Sequence, residues 1–363
     1  MSQPSALVNE VIYRFRKLNP KQERTVIGLS GGADSIALLF CLSRLKKTRF
    51  LAVHVTYDIR PTSETDIDYQ IAKEAAAKCG VDFVRVHRKV QGVNPLTEAD
   101  PDVETNLEAR AREERYQVFS RFVDQDLCTA ENSDMFDRCD GFIATGHHAD
   151  DQLETLLMRL GRGTGIEGLR GIHEKMPAWN CPRHTIIRPM LNLTRADTEA
   201  ICRENGLRWA TDSTNGDIKY QRNFLRSEVI PLLYIAYPHI AESASNLAKI
   251  AASAQRLIDK TTSDMRQRNA EDGIELCRVN ASSADQLRTQ EDVVIYQWLD
   301  WAVTADFGTK GLDQVNYKMY EDVINAIRKY QVTTFEWPGR TIEVTLSRVS
   351  VSRSKKASEA VLV

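Results

Sequence analysis

Thr25-Val26-Ile27-Gly28-Leu29-Ser30-Gly31-Gly32-Ala33-Asp34-Ser35-Ile36-Ala37-Leu38-Leu39 reads as a short apolar strand, a turn with glycines and hydroxyls, and a helix opening on Ser35. Successive glycines let the backbone turn tightly and approach a ligand closely. A turn feeding a helix N-terminus aims several unpaired N–H groups at one point, which suits a phosphate. No Gly-Lys-Ser/Thr follows, so the Walker A pattern is absent.

Outward from this stretch, strand and helix alternate. Residues 1–20 carry Leu7, Val8, Val11, Ile12 and Phe15 at near-helical spacing. Thr25–Leu29, Phe50–Val55, Asp82–Val86 and Gly141–Thr145 read as strands, and Glu64–Cys79 as a helix closing at Gly80. Such βαβ units predict an α/β fold, a Rossmann-like parallel sheet flanked by helices. Ligands of these sheets bind beyond the strand C-termini, where the opening turn lies. Gln91–Glu104 reads as a surface loop and Cys128–Asp140 as a polar insertion.

After about Leu225 helical stretches near Pro238–Arg268, Ala281–Val303 and Leu312–Tyr330 follow one another. Val332–Glu336 and Thr341–Leu346 flank Trp337-Pro338-Gly339-Arg340 as a hairpin, and Arg348–Lys356 reads as a loose basic tail. The expected domains are 1–225 and a mainly helical 226–363, with the boundary near Phe224–Pro231.

The 363 residues are 42% hydrophobic and 27% charged, as in soluble globular chains. No apolar run approaches a membrane span, and no signal-peptide pattern opens the chain. Seven cysteines without Cys-x-x-Cys pairs point to reduced thiols, making the cytoplasm the expected compartment. A net charge of −2 provides no global signal for nucleic acid, so any RNA must be held by local patches.

Four further clusters carry chemistry. In Thr145-Gly146-His147-His148-Ala149-Asp150-Asp151-Gln152-Leu153-Glu154, the Asp151 and Glu154 carboxylates share one helical face. The residues alone leave a transition-metal site and acidic N-capping both open. Leu160–Gly171 holds five glycines with Arg162 and Arg170, which predicts a close-approach loop or a flexible connector. Asn106–Tyr116, taken alone, is a solvated helix with i,i+4 pairs such as Glu108–Arg112. Asp212-Ser213-Thr214-Asn215 and Tyr220–Arg226 read as a turn and a helix start.

Ser30-Gly31-Gly32-Ala33-Asp34-Ser35 resembles the PP-loop of ATP pyrophosphatases, which cleave ATP between its α and β phosphates. The other matching segments follow in order: Asn106-x-Glu108-Ala109-x-Ala111-Arg112, His147-His148-x-Asp150-Asp151-Gln152-x-Glu154, Arg159-Leu160-x-Arg162-Gly163, Ile187-Arg188-Pro189-Met190 and Arg222-Asn223-x-x-Arg226. Together the set resembles the tRNA(Ile)-lysidine synthetase family over roughly residues 20–235.

This resemblance implies ATP and Mg²⁺ as cofactors, a tRNA(Ile) with a CAU anticodon and free lysine as partners, and no membrane. It further implies adenylation of the wobble cytidine at its C2 oxygen, followed by attack of the lysine ε-amine and loss of AMP. Ser30–Ser35 would hold pyrophosphate and Asp34 would ligate Mg²⁺. Asp151 and Glu154 would bind the lysine ammonium groups, and Arg112 and Arg222 would neutralise phosphate or grip the cytidine. His147, Asp150 and Arg162 complete the expected substrate contacts. His54-Val55-Thr56-Tyr57-Asp58-Ile59-Arg60-Pro61 departs from the family, keeping Arg60-Pro61 but not its His-Gly core. The competing readings are another PP-loop enzyme, a tRNA thiolase or amide synthetase, and a non-catalytic nucleotide- or RNA-binding relative. A thiolase with an iron–sulfur cluster would want Cys-x-x-Cys pairs. The oligomeric state stays open, a homodimer among the options.

Overall fold

The computed structural model describes residues 5–57, 62–88, 101–125, 141–178, 181–210, 221–271, 280–304 and 315–353. Within these, the chain divides into two compact units, Met1–Ile250 and Ala251–Val363. Residues 224–231, where the sequence texture changes, lie inside the first.

The first unit is built on six strands: β1 (Thr25–Gly28), β2 (Phe50–Tyr57), β3 (Asp82–Arg88), β4 (Gly141–Ala144), β5 (Lys175–Ala178) and β6 (Cys181–Ile187). Their order is β3-β2-β1-β4-β6-β5, parallel throughout except for β5 against β6. On one face pack α1 (Ala6–Leu18), α2 (Ala33–Ser43), α3 (Thr62–Cys79) and α7 (Arg195–Glu204), through Val11, Phe15, Leu38, Ala72 and Ile201 over Ile27 and Ala52. On the other lies α4 (Pro101–Gln125), with Tyr116, Phe119 and Val123 over Val26, Val53 and Ile143. Both faces being covered, β1 reads as an unbroken apolar run rather than an alternating one. The parallel α/β architecture expected from the sequence is the one observed.

The order of the strands positions the site. From β1 the chain builds outward through β2 and β3, then returns to place β4 on the other side of β1. The segments leaving β1 and β4 therefore diverge from adjacent strand ends, the crevice where doubly wound sheets bind ligands. The helix following β4 is α5 (Ala149–Arg162). Its apolar side, Leu153 and Leu156, packs with Ile230, Ala244 and Ala248.

Several expectations are corrected. Pro101–Glu104 opens α4 rather than closing a loop; residues 89–100 and the Cys128–Asp140 insertion lie outside the described residues. In the glycine-rich segment, α5 continues to Arg162 and α6 (Ile166–Leu169) forms a helical turn. Glycine costs least at a helix end, and Arg159 Nη1 donates to Gly168 O at 2.6 Å, supplying a tertiary tie that propensity does not register. Strands β5 and β6 do not stand out in the sequence: Lys175, Pro177, Pro182, Arg183 and His184 interrupt their apolar pattern, and among the described residues they pair with each other and with β4.

After α8 (Gln221–Phe224), residues Leu225–Val229 form a π-helical turn leading into α9 (Ile230–Ala236). Pro231 has no N–H to give Ser227 O, and the wider turn bonds Ile230 N to Leu225 O instead. Next, α10 (Ile240–Glu271) continues from the first unit into the second.

The second unit contains β7 (Asn280–Ser283), α11 (Ala284–Arg288), α12 (Asp292–Thr304), α13 (Tyr317–Arg328), β8 (Thr333–Trp337), β9 (Arg340–Val344) and β10 (Arg348–Arg353). The strands form an antiparallel sheet ordered β7-β10-β9-β8, so the expected hairpin is half of a larger sheet. Trp298, Val323, Ile327, Ile342, Val349 and Val351 are buried between helices and sheet. Arg348–Arg353 is thus a strand and not a tail, because Val349 and Val351 alternate inward against β9. Among the described residues no helix is long and apolar enough to cross a membrane.

Candidate active site

The turn after β1 is braced by its own hydroxyls. Ser30 N donates to Ser35 Oγ at 3.1 Å, Ser35 Oγ donates to Gly32 O at 3.0 Å, and Gly32 N donates to Ser30 Oγ at 3.3 Å. Gly31 has φ +95°, and a Cβ there would stand 2.8 Å from Asp68 O, so only glycine fits. Helix α2 opens at Ala33, two residues before the expected Ser35, with Gly32 as its N-cap. A helix start leaves its first N–H groups, here Ala33 to Ser35, without intrahelical partners. Beneath the turn, buried His54 donates its Nδ1–H to Leu29 O at 2.8 Å; residues 58–61 of the divergent segment lie outside the described set.

The β4 turn meets this loop directly. A Cβ on Gly146 would stand 2.9 Å from the backbone carbon of Asp34, so glycine allows the two turns to touch. His148, 2% exposed, occupies the junction. Its Nε2 is 3.4 Å from Asp34 Oδ2 and 3.5 Å from Asp151 Oδ2, and its Nδ1 is 3.5 Å from Asp150 Oδ2. Burial opposes the charge, but the carboxylates of Asp151, Asp150 and Asp34 overcome it and push His148 up to about 10. It is an imidazolium at neutral pH.

Asp34 lies in the first turn of α2 and accepts from Thr198 Oγ1 on α7 at 2.6 Å. Burial raises its pKa, and the His148 and Thr198 contacts outweigh that to hold it below the usual carboxylate range. Its side chain is 32% exposed. One carboxylate beside a phosphate-binding turn fits Mg²⁺, which takes few protein ligands and completes its shell with phosphates and water. Among the described residues no group of three or more His, Cys, Asp and Glu converges as a metal site.

The remaining candidates separate by geometry. Asp150 accepts from Tyr234 Oη at 2.6 Å and from Arg195 N at 2.8 Å, so its oxygens serve α9 and α7. Burial would raise it; His148, Tyr234 and Arg195 bring it down to about 2. Asp151 accepts the His148 backbone N–H at 3.0 Å, a capping contact at the start of α5. Its other oxygen lies 3.4 Å from Nη2 of both Arg222 and Arg226. Glu154, one turn on, takes Arg222 Nε at 2.8 Å and Arg226 Nε at 2.7 Å. N-capping and ion pairing to arginine thus coexist on one helical turn.

His147 lies 2.9 Å from Thr145 Oγ1 through Nδ1. Burial brings it down to about 3; Asp151 pulls the other way, and Arg188, Arg112 and Arg222 add to the depression. It is neutral, beside a cationic neighbour in His148. Arg112 stands exposed on α4 with its guanidinium 5.7 Å from the Tyr116 ring centre. Arg162 is at the far end of α5, bonded to Gln221 Oε1 at 3.4 Å, two turns from Glu154. The fold therefore gathers Ser30–Ser35, Asp34, His147, Asp150, Asp151, Glu154 and Arg222, and leaves Arg162 at the rim. Residues 211–220 lie outside the described set.

Three supporting residues carried no assigned role in the sequence. Arg188, singled out only within the Ile187–Met190 segment, is 2% exposed, donates Nη1–H to His173 O at 2.6 Å and contributes to the field on His147. Thr198 and Tyr234 carried no signal in sequence, since each meets its partner only through tertiary contact.

The PP-loop domain model matches residues 7–233. A tRNA(Ile)-lysidine synthase from Actinobacillus pleuropneumoniae is 29% identical over 87% of this chain and 68% of its own length. One from Vibrio parahaemolyticus is 33% identical over 66% of this chain and 49% of its own, and one from Pseudomonas syringae 34% over 64% and 47%. The chain thus spans about half the length of the latter two relatives. The U34-tRNA thiolase NcsA from Methanococcus maripaludis shares the fold, with a TM-score of 0.50 at 17% identity over 68% of this chain and 79% of that one. With the braced turn after β1, its carboxylate in the first helical turn and the match over residues 7–233, the chain belongs to the PP-loop domain family.

Proposed function

We propose that this chain uses ATP to join lysine to C2 of the wobble cytidine in a tRNA(Ile) with a CAU anticodon. The observation that carries the reading is the contact between the Ser30–Ser35 turn and the His147–Glu154 segment, which sets a phosphate cradle beside a buried carboxylate pair. The relatives bear the corresponding name.

In the first step the cytidine C2 oxygen attacks the α-phosphorus of ATP, and the bond to the β-phosphate oxygen breaks to release pyrophosphate. The N–H groups of Ala33–Ser35 receive that anion. Mg²⁺, held by Asp34, would supply charge neutralisation on the phosphates. In the second step the lysine ε-amine attacks C2, and the C2–oxygen bond breaks to release AMP. An ammonium of reference pKa about 10.4 has to lose a proton first. The Asp151 carboxylate, one helical turn from Glu154, is the acceptor at hand. Arg112 and Arg222 counter phosphate charge. The target base is splayed from a loop, where unstacking costs little. Arg162 and the region after residue 225 supply RNA contacts, in a cytoplasmic setting where tRNA, ATP and lysine are at hand.

Incubation with ATP, labelled lysine and a CAU-anticodon tRNA transcript tests this. Label should enter a transcript with wobble cytidine and not one with uridine. Transfer of sulfur or ammonia without lysine would replace the reading with another PP-loop chemistry.

A further inference from the structure

Glu154 is 1% exposed and grips two guanidiniums at once. Arg226 meets it as a fork, Nε to Oε1 at 2.7 Å and Nη2 to Oε2 at 3.1 Å. Arg222 adds Nε to Oε2 at 2.8 Å, and both arginines extend Nη2 to Asp151 Oδ1 at 3.4 Å. Two carboxylates and two guanidiniums balance in charge.

The proposed substrate carries charge of the same sign, since free lysine presents two ammonium groups and one carboxylate. The oxygens that would receive those ammonium groups are already engaged by arginine. The carboxylates cannot withdraw, because Glu154 and Asp151 are buried on α5. The arginines can: their side chains are 35% and 31% exposed, on the four-residue α8 and the π turn.

Resting on the lysine-ligation reading, we infer that Arg222 and Arg226 are displaceable stand-ins for the ammonium groups of lysine, so that lysine entry frees guanidinium charge to bind RNA phosphate. A buried carboxylate left unpaired is costly, so the arginines leave only as ammonium arrives. A guanidinium freed from a carboxylate turns a neutral patch cationic beside the place where RNA must dock. Lysine and RNA then assist each other, and linkage requires the same factor in both directions. Free enzyme holds the carboxylates closed to other small cations until both substrates are present.

Calorimetric titration of lysine without ATP tests this on wild type, Arg226→Met and Arg226→Gln, each with and without a CAU anticodon stem-loop RNA. Saturating RNA should tighten lysine binding to wild type by about tenfold, within the usual range of coupling between sites. Arg226→Met should bind lysine about tenfold tighter than wild type without RNA, and RNA, acting through Arg222 alone, should add less than it adds to wild type. Arg226→Gln, which keeps polarity without charge, should behave like Arg226→Met and covers a failure of that variant to fold. Lysine binding unchanged or weakened in both variants overturns the coupling, as does an RNA enhancement in them as large as in wild type. Uptake of lysine by none of the proteins, with or without RNA, would instead remove the lysine reading of the site.

Discussion

The hydroxyl of Thr198 donates to Asp34 Oδ1 at 2.6 Å and ties α7 to the first turn of α2. Cys202 Sγ to Ala33 O at 3.4 Å and Ala210 N to Gly31 O at 2.9 Å extend the same clamp along the loop. Thr198 thereby holds Asp34 Oδ1 while Oδ2 lies 3.4 Å from His148 Nε2. Thr198→Val should slow pyrophosphate release by about tenfold, as expected for loss of a hydrogen bond to a charged group worth about 1.5 kcal/mol. Thr198→Ser should restore it. Equal rates in all three proteins, across a Mg²⁺ titration, would show that Asp34 needs no such support.

Gly146→Ala places a methyl 2.9 Å from the Asp34 carbonyl carbon and 3.1 Å from Ser35 N. Both neighbours are backbone and cannot swing aside. The variant should lose about 1–3 kcal/mol of stability and most of its activity. Thermal melts and lysine incorporation measure the two effects.

The adjacent histidines should differ in charge from pH 5 to 8. His147, held near 3, stays neutral, and His148, pushed up to about 10, stays an imidazolium. The raised His148 contributes stability that is complete below its ordinary value of 6.5 and fades as pH climbs through about 10. Ring carbon shifts in a histidine-labelled sample report both states, and titration of either between pH 5 and 8 counts against this assignment.

Asp150, brought down to about 2, stabilises the fold above its ordinary value of 3.8, and that contribution is lost as pH falls through about 2. Tyr234→Phe removes a 2.6 Å donor to it. The acid-unfolding midpoint, followed by circular dichroism, should move to higher pH in the variant, by an amount reflecting on the order of 1 kcal/mol.

Asp34→Ala, Asp151→Ala and Arg112→Ala should each abolish lysine incorporation with the chain still folded. Arg112 is exposed and Asp34 partly so, which limits the structural cost of their removal. Near-normal turnover in any variant takes that residue out of the mechanism.

What could be read from the chain were features encoded within a few residues of one another. The strand–turn–helix at Thr25–Leu39 and the His147–Glu154 helix start are local patterns of apolar runs, glycine and caps, so their type and place were legible. Strands β5 and β7 were not, because neither has an apolar period of its own: β5 exists through its pairing with the next strand, β6, and β7 through β10, distant in sequence. The same distinction holds inside the site. Sequence alone determined that a glycine-containing turn opening a helix, a carboxylate pair and several arginines are present. Only the tertiary structure decided their pairing: that β4 returns beside β1, that Asp34 meets His148, and that Glu154 is closed by Arg222 and Arg226 across 68 and 72 residues of chain. The reason is physical: a charge carries no record of its partner, and the long-range packing of a sheet with two covered faces brings the two together.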